Sequence, residues 1–247
     1  MFKFKGNKFK ILGIIPSRLY SKRLPKKALI KINGEPLISR VYRLASKSKI
    51  LDSLIVATDS NEIVNLLNKV EGRSIMTSEK HANGTERMGE VIKNLNEDYD
   101  IYVLINGDEA LLDPDHIEIA VKTLIENDSD ASMLVCKFYK RNSPSDFKVV
   151  LNAKNELLYI SRSDIPSESR NSTNFLLKAY HIMAFKEQTI IDYSLLEKTR
   201  LESIEDHEHL RLLENGYKIS CSIVNSDSIS VDTESDLKFV IEQAKKF

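Results

Sequence analysis

In residues 10–27, KILGIIPSRLYSKRLPKK, an apolar run ends at a proline and passes directly into a basic loop. A continuous apolar run is typical of a strand that is covered on both faces. Residues 10–16 are therefore predicted to form a buried first strand, and residues 17–27 a loop at its carboxyl end. In open parallel sheets, ligands bind at that end of the strands.

The same pattern repeats through the first half of the chain. Further strands are predicted at 53–58, 73–77 and 100–105, and helices at 36–49, 60–70, 84–95 and 114–126. Strands that alternate with helices indicate an α/β fold with a parallel sheet. Beyond residue 130 the pattern predicts antiparallel or mixed strands at 131–139, 147–151, 157–160 and 178–185, and helices at 201–215 and 232–245.

Composition narrows the class of protein. The 247 residues carry a formal net charge of zero, whereas nucleic-acid binders usually carry a basic excess. The two cysteines, Cys136 and Cys221, form no CxxC motif, which favours a reducing compartment. The apolar run that ends at Pro16 is too short for a signal peptide or a membrane span. We therefore expect a cytoplasmic protein that binds neither nucleic acid nor membrane.

The loop after the first strand is basic. Its cationic side chains are Arg18, Lys22, Arg23, Lys26 and Lys27. Clustered Arg and Lys at a strand end suit a triphosphate, since each can make charge-assisted hydrogen bonds. The loop has no glycine, so it is neither a Walker A motif nor a dinucleotide fingerprint. On charge alone, a solvated basic loop remains an equal alternative.

Two acidic segments are candidate metal ligands. Asn106-Gly-Asp108-Glu109 follows a predicted buried strand, and Asp232 lies in the segment SVDTESD at 230–236. Mg²⁺ prefers oxygen ligands and often needs only one or two protein carboxylates besides substrate phosphates. The alternative for each segment is a helix cap or turn, and their spacing does not show whether they meet.

His207 and His209 form a third candidate, in the segment His-Glu-His. On a helix, residues two apart point in nearly opposite directions, so the two rings would not share one metal ion. A role without metal is therefore favoured.

The motifs also occur together in a known order. They are IIPSRLYSKRLPKKAL (14–29), LIVATDSNEI (54–63), MTSEKHANGTERMGEVI (76–92), INGDEALLDP (105–114), FKVVLNAKNELLYISRSDIP (147–166), LESIEDHEHLRLLENGYKI (201–219) and SVDTESDL (230–237). In this order, along nearly the whole chain, the sequence resembles the CMP-Kdo synthetase family, the 3-deoxy-manno-octulosonate (Kdo) cytidylyltransferases.

The resemblance implies a Rossmann-like nucleotidyltransferase of the GT-A-like kind, a three-layer α/β sandwich with a mixed sheet. It implies one cytidylyltransferase domain over 1–247, with a nucleotide-binding portion at 8–130, a sugar-binding and dimerisation lobe at 131–200, and a return to the nucleotide core at 201–247. The implied reaction is transfer of CMP from CTP to the anomeric hydroxyl of Kdo, with release of pyrophosphate, for lipopolysaccharide or capsule synthesis. The implied partners are CTP, an acidic sugar and a second copy of the chain.

By position, the resemblance implies that Arg18, Arg23 and Lys27 hold the triphosphate and that Asp108 and Asp232 hold a catalytic Mg²⁺. The implied substrate contacts are Asn83, Gly84, Thr85, Arg87 and Asn106 for the nucleotide, Arg162 for the sugar carboxylate, and Glu208, His209 and Arg211 in a block that faces the sugar.

The chain also departs from the family pattern. Lys26 stands where the family has glycine, Asn106 and His209 stand where it has glutamine, and Ala28, Ala110 and Glu234 stand where it has proline. The triphosphate and metal residues are kept, while several sugar-side residues differ. An 8-amino Kdo, a nonulosonic acid, or a catalytically silent nucleotide-binding homologue therefore stays open as an alternative.

Overall fold

The structure is a computed structural model and describes residues 1–21, 23–226 and 229–246. In chain order the strands are β1 (Phe2–Phe4), β2 (Asn7–Phe9), β3 (Ile11–Ser17), β4 (Lys31–Ile32), β5 (Glu35–Pro36), β6 (Ser53–Thr58), β7 (Ser74–Met76), β8 (Ile101–Ile105), β9 (Ala131–Phe138), β10 (Lys148–Leu151), β11 (Leu157–Ser161), β12 (Leu176–Lys186) and β13 (Ile219–Val224). The α-helices are α1 (Leu37–Ala45), α2 (Asn61–Asn68), α3 (Gly84–Asn94), α4 (Asp115–Glu126), α5 (Glu187–Tyr193), α6 (Arg200–Glu205), α7 (Leu210–Glu214) and α8 (Glu234–Gln243).

The chain forms two compact units. Unit 1 consists of Met1–Glu118 and Asp227–Phe247, and unit 2 of Ile119–Ser226. Unit 1 is thus built from two separate stretches of sequence.

Unit 1 contains a parallel sheet with β3 in the middle. β3 pairs with β6 on one side and β8 on the other, and β7 pairs with β6. Helices α1 and α3 pack against β3 and β6. The apolar residues of β3 are buried along the whole strand, as the continuous apolar run predicts.

Side-chain caps fix where three helices of unit 1 begin. Ser60 accepts a hydrogen bond from the backbone N–H of Glu62 at 3.2 Å, and Asn83 accepts one from Glu86 at 2.8 Å. At α8, Thr233 and Asp236 form a reciprocal capping box. By residue type, either Asp232 or Thr233 could cap α8, since Asp and Thr are both common caps. Since Thr233 is the cap, the carboxylate of Asp232 remains available for other contacts.

Two short antiparallel hairpins of unit 1, β1–β2 and β4–β5, are not among the predicted strands, and Pro36 of β5 falls in the stretch predicted as helix at 36–49. The second turns at Asn33-Gly34, where both residues have positive φ, 50° and 89°. Asn-Gly is the pair that two-residue hairpin turns favour. This signal was therefore present in the sequence.

Unit 2 contains a mixed sheet. β9 pairs antiparallel with β12 and parallel with β13, and β10 pairs antiparallel with β11 and β12. β9 is buried from Ala131 to Cys136, so the change of pattern after residue 130 reflects a change of pairing and not a loss of burial.

The predicted helix at 201–215 is wrong in one respect, since two helices, α6 and α7, occupy that stretch. The chain leaves α6 at Asp206, whose φ of 53° is left-handed and ends the helix. His207 and His209 therefore lie in the connection, and their ring centroids are 5.1 Å apart. Because neither histidine lies within a helix, helix geometry does not direct the two rings apart.

Among the described residues, no helix combines the length and apolar character needed to cross a lipid bilayer.

Candidate active site

Lys27 lies at the centre of an ionic cluster in unit 1. Its ammonium nitrogen donates to Asp108 Oδ2 at 2.7 Å and to Asp232 Oδ1 at 3.0 Å. Each of the three side chains is about one-fifth exposed, at 19%, 18% and 21%. The structure therefore brings together three of the residues predicted for triphosphate and metal binding.

Two hydrogen bonds hold the acidic segments against each other. The backbone N–H of Val231 donates to the carbonyl of Asp108 at 3.1 Å, and Ser230 Oγ donates to Glu109 Oε1 at 2.5 Å. Because Asp108 and Asp232 directly adjoin these bonded residues, their carboxylates are placed side by side. Glu109 is 2% exposed, so this carboxylate of the predicted acidic segment holds the site together from within.

The turn that carries Asp108 also needs a glycine. A Cβ added at Gly107 would lie 3.0 Å from the carbonyl oxygen of Pro16, which is backbone and cannot move aside. Gly107 thus lets the turn after β8 lie against the end of β3, next to the basic loop.

Charges in the cluster are close to balanced. Burial lowers the pKa of Lys27, but the charges of Asp108 and Asp232 outweigh it and hold the pKa above its ordinary value. Arg23 Nη2 lies 3.0 Å from Asp232 Oδ1 and adds a second cation. Arg18 follows β3 directly and is exposed. Lys22, also predicted in this loop, lies outside the described residues.

The donor set fits a small divalent cation. Oδ2 of Asp108 and Oδ1 of Asp232 both lie within hydrogen-bonding distance of the same Lys27 nitrogen, so the two carboxylates that would hold a cation lie close together. In the part of the chain that the structure describes, no group of three or more His, Cys, Asp or Glu residues could hold a metal. An ion here would need substrate oxygens or water as further ligands, which is how Mg²⁺ commonly binds.

The segment predicted to contact the nucleotide forms the start of α3. Asn83 caps the helix, Gly84 is its first residue and Thr85 is buried. A Cβ on Gly84 would meet Pro16 Cγ at 3.1 Å, so this helix start packs against the end of β3. Asn106 lies in the turn after β8, also at a strand end. Helix N-termini attract anions, which suits a nucleotide.

Arg87, the fourth predicted nucleotide contact in this segment, is buried in an ion pair. Its side chain is 4% exposed, with Nη2 3.0 Å from Asp59 Oδ2 and Nη1 donating to Thr77 Oγ1 at 2.5 Å. Asp59 in turn accepts a hydrogen bond from the backbone N–H of Leu19 at 3.1 Å. Arg87 thereby ties α3 to the basic loop. Asp59 was not predicted as a site residue, although it follows the buried strand β6 as Asp108 follows β8.

The sugar-side candidates all belong to unit 2. Arg162 follows β11; its guanidinium is one-third exposed and lies over the ring of Phe147, 4.3 Å from the centroid. It lines a cavity of about 410 Å³ together with Asn142, Ser143, Pro144, Ser163 and Asp164.

Glu208, His209 and Arg211 lie at and after the break between α6 and α7. Glu208 is partly exposed, and its Oε1 lies 3.8 Å from His209 Nε2. His209 is 1% exposed, and burial, together with the charge of His181, lowers its pKa to about 3. Arg211 is buried and bidentate to Glu202, at 2.8 and 2.7 Å, which joins α7 to α6.

Comparison with known proteins identifies relatives along nearly the whole chain. The cytidylyltransferase family profile matches residues 12–219. The chain is 41% identical over 242 residues to the 3-deoxy-manno-octulosonate cytidylyltransferase of Fusobacterium nucleatum, covering 96% of this chain and 98% of the relative. It is 36% identical over 242 residues to the protein of the same name from Parabacteroides distasonis, covering 93% and 96%.

A solved structure is also similar. The structure of CMP:2-keto-3-deoxy-manno-octonic acid synthetase complexed with CTP matches with a TM-score of 0.89 and 31% identity, covering 96% of this chain and 100% of that one. The predicted α/β nucleotidyltransferase fold with a mixed sheet is confirmed by this match.

Proposed function

Because this chain belongs to the cytidylyltransferase family, among the 3-deoxy-manno-octulosonate cytidylyltransferases, we propose that it transfers CMP from CTP to Kdo and releases pyrophosphate. The observation that carries this proposal is the convergence of Asp108 and Asp232 on Lys27, in a chain that matches Kdo cytidylyltransferases over almost its full length. The product would serve lipopolysaccharide or capsule synthesis.

In the proposed reaction, the anomeric hydroxyl of the sugar releases its proton to solvent, and its oxygen forms a bond to the α-phosphorus of CTP. The bond between that phosphorus and the bridging oxygen breaks, and pyrophosphate leaves with the bonding electrons. Arg18, Arg23 and Lys27 offset the negative charge of the triphosphate and of the leaving group. Catalysis of phosphoryl transfer is mostly positioning and electrostatic stabilisation, and these groups supply both.

Asp108 and Asp232 would hold the divalent cation, which we propose is Mg²⁺. When bound, the ion would neutralise phosphate charge and make the attacking hydroxyl more acidic. Lys27 already sits between the two carboxylates, so its ammonium keeps them together before the substrate arrives.

On the sugar side, Arg162 is proposed to bind the carboxylate of the acceptor, since a guanidinium and a carboxylate can form two parallel hydrogen bonds. Glu208 and His209 adjoin one another in unit 2 and are proposed to contact the rest of the sugar. The names of the relatives favour Kdo over an 8-amino or nonulosonic acceptor. Retention of the Lys27, Asp108 and Asp232 cluster disfavours a silent homologue.

Pyrophosphate release tests the reaction. Purified protein, CTP and Mg²⁺ are incubated with Kdo, with 8-amino Kdo, with sialic acid or without an acceptor, and the product is identified by mass. Release that depends on Kdo, with formation of CMP-Kdo, is expected. Pyrophosphate release with sialic acid alone would overturn the assignment of Kdo as the acceptor. CTP binding without pyrophosphate release for any acceptor would indicate a catalytically silent homologue.

Two accompanying proposals have separate tests. A reaction that consumes CTP fits the cytoplasm, and fractionated cells should show the protein there. The protein is also proposed to act as a homodimer, and light scattering during gel filtration should give twice the mass of the 28.2 kDa chain.

A further inference from the structure

The backbone of Arg162 is held from both sides by charged side chains. Its N–H donates to Glu205 Oε2 at 2.9 Å, and its carbonyl oxygen accepts a hydrogen bond from Lys148 Nζ. Glu205 is the last residue of α6 and Lys148 the first of β10, so two different elements converge on this one residue. The two peptide units that flank Arg162 are therefore each held, one at its N–H and the other at its carbonyl oxygen, which leaves the backbone of Arg162 little freedom to rotate.

Lys148 links three backbone carbonyls. Its side chain is 0% exposed, and Nζ donates to the carbonyls of Ser143 at 2.7 Å and Asp146 at 2.8 Å as well as to that of Arg162. An ammonium has three N–H donors, so these carbonyls use all of them. The strand register places Lys148 opposite Ser161, directly before Arg162. Lys148 therefore joins the 143–146 turn to the end of β11.

Glu205 makes a matching set of contacts. Besides the N–H of Arg162, its carboxylate accepts from Ser161 Oγ at 2.8 Å and from Tyr159 OH at 3.2 Å. Its own carbonyl accepts from Arg162 Nε at 3.0 Å. Glu205 thus holds both the backbone and the side chain of Arg162.

The guanidinium of Arg162 is oriented by the same groups. Nη1 donates to the carbonyl of Pro144 at 2.9 Å, within the turn that Lys148 holds, and Nη2 donates to Asp206 Oδ2 at 3.1 Å, next to Glu205. With the bond from Nε, three of the five N–H donors are used, and at most two remain for a ligand. Only a narrow range of guanidinium orientations can then present both remaining donors to a carboxylate.

We propose that Lys148 and Glu205 are positioning residues that fix Arg162 for recognition of the carboxylate of an acidic sugar at the cavity it lines. This inference rests on the proposed function. Lys148 and Glu205 would contribute to substrate recognition through Arg162, without touching the substrate themselves. Neither residue was a candidate from the sequence.

Steady-state kinetics with two variants test the inference. Lys148→Met keeps the side-chain length but removes the three donors, and Glu205→Gln keeps the shape but removes the charge. Each should raise KM for Kdo by about tenfold or more, the effect of losing one charge-assisted hydrogen bond, and leave KM for CTP within about twofold. Lys186→Met is the matched control, because Lys186 forms an exposed ion pair with Asp128 in the same unit.

A second readout separates positioning from general damage. Wild type should prefer Kdo over its neutral C1 carboxamide, as judged by kcat/KM. If Lys148 and Glu205 act through the carboxylate contact, both variants should lose most of this preference. Damage to the fold alone would lower kcat/KM for both acceptors equally and overturn the inference. Glu205→Gln keeps the test decisive if Lys148→Met does not fold.

Calorimetric titration of Kdo into each protein distinguishes the two proposals. Wild type that neither binds nor converts Kdo would overturn the acceptor assignment and this inference together. Wild type that converts Kdo, with an unchanged KM and an unchanged carboxamide ratio in both variants, would overturn the positioning role alone.

Discussion

The ammonium of Lys27 lies 2.7 Å from Asp108 Oδ2, although 81 residues separate the two in the chain. A largely buried carboxylate pair such as Asp108 and Asp232 is costly unless a cation lies between them. Lys27 meets that need and holds both carboxylates in place. A divalent ion and a triphosphate would meet a site whose acidic ligands are already together.

Asp108→Asn should lower turnover by about a hundredfold or more while the protein stays folded, because the amide cannot replace a charged metal ligand. The measurement is pyrophosphate release with CTP, Kdo and Mg²⁺. Asp113→Asn, an exposed substitution near the same turn, is the control and should retain normal turnover. Near-normal turnover of Asp108→Asn would remove Asp108 from the reaction.

Lys27→Met should lower the thermal stability of the protein and make that stability more dependent on divalent ions. Without the ammonium, Asp108 and Asp232 repel one another, and the melting temperature should fall by several degrees, as expected for a loss of about 1–2 kcal/mol. Mg²⁺ should then raise the melting temperature of the variant more than that of wild type. Equal Mg²⁺ effects in both proteins would show that the ion does not bind between these carboxylates.

Arg87→Gln should destabilise the protein by about 3–5 kcal/mol, since it leaves Asp59 buried without its cation. It should also raise KM for CTP, because Asp59 holds the backbone of Leu19 in the basic loop. Urea denaturation measures the free energy of unfolding. Arg43→Gln breaks a more exposed ion pair with Glu35 and should cost less than about 1 kcal/mol. Similar losses in the two variants would contradict the structural role of Arg87.

The stretches that the sequence predicted well are those where a local pattern is sufficient. β3 follows from a continuous apolar run, and the helix predicted at 232–245 is present as α8, which begins two residues later at Glu234. Lys27 and Asp108 lie in segments that follow predicted strands, and the family resemblance named them together with Asp232, but their meeting depends on tertiary contacts that spacing does not encode.

Other features had no readable local signal. The break between α6 and α7 depends on the left-handed backbone of Asp206, while the apolar spacing continues through it. The partner of Arg87 is Asp59, 28 residues away, and only the packing of α3 reveals the pair. In the sequence, Lys148 looks like an ordinary polar residue at the start of a strand. Its burial depends on the 143–146 turn, whose carbonyls accept hydrogen bonds from it.

His209 should make stability fall at acid pH. Its pKa is about 3 in the folded protein and 6.5 unfolded, so below pH 6.5 the unfolded state binds the extra proton and unfolding becomes easier. Between pH 7 and pH 5 this group alone costs about 2 kcal/mol. Burial, together with the charges of His209, His181 and Arg162, also holds the pKa of His207 low, while Glu208 is the acidic neighbour of His209.

Urea denaturation at pH 5 and pH 7 tests this prediction with His209→Gln, which cannot titrate. The difference in unfolding free energy between the two pH values should be smaller in the variant by about 2 kcal/mol. An unchanged difference would contradict a neutral, buried His209.

Glycine should be tolerated better than valine at position 26. The φ of 53° of Lys26 lies in the left-handed region, where residues other than glycine are destabilised by about 1–2 kcal/mol. Both substitutions remove the exposed ion pair with Glu62, so the loss of that pair does not contribute to the difference in stability between them. Lys26→Gly should be more stable than Lys26→Val by about 1–2 kcal/mol. Equal thermal stabilities of the two variants would contradict the strain at this position.

The contact between Lys27 and Asp232 joins residues 205 positions apart. Closing such a large loop costs chain entropy, and contacts of long sequence separation slow folding. We therefore expect this cluster to assemble late, after the local strand and helix pairs of both units. Partly folded chains would then lack the metal-binding pair and leave CTP untouched, so that the ability to consume nucleotide appears together with the finished fold.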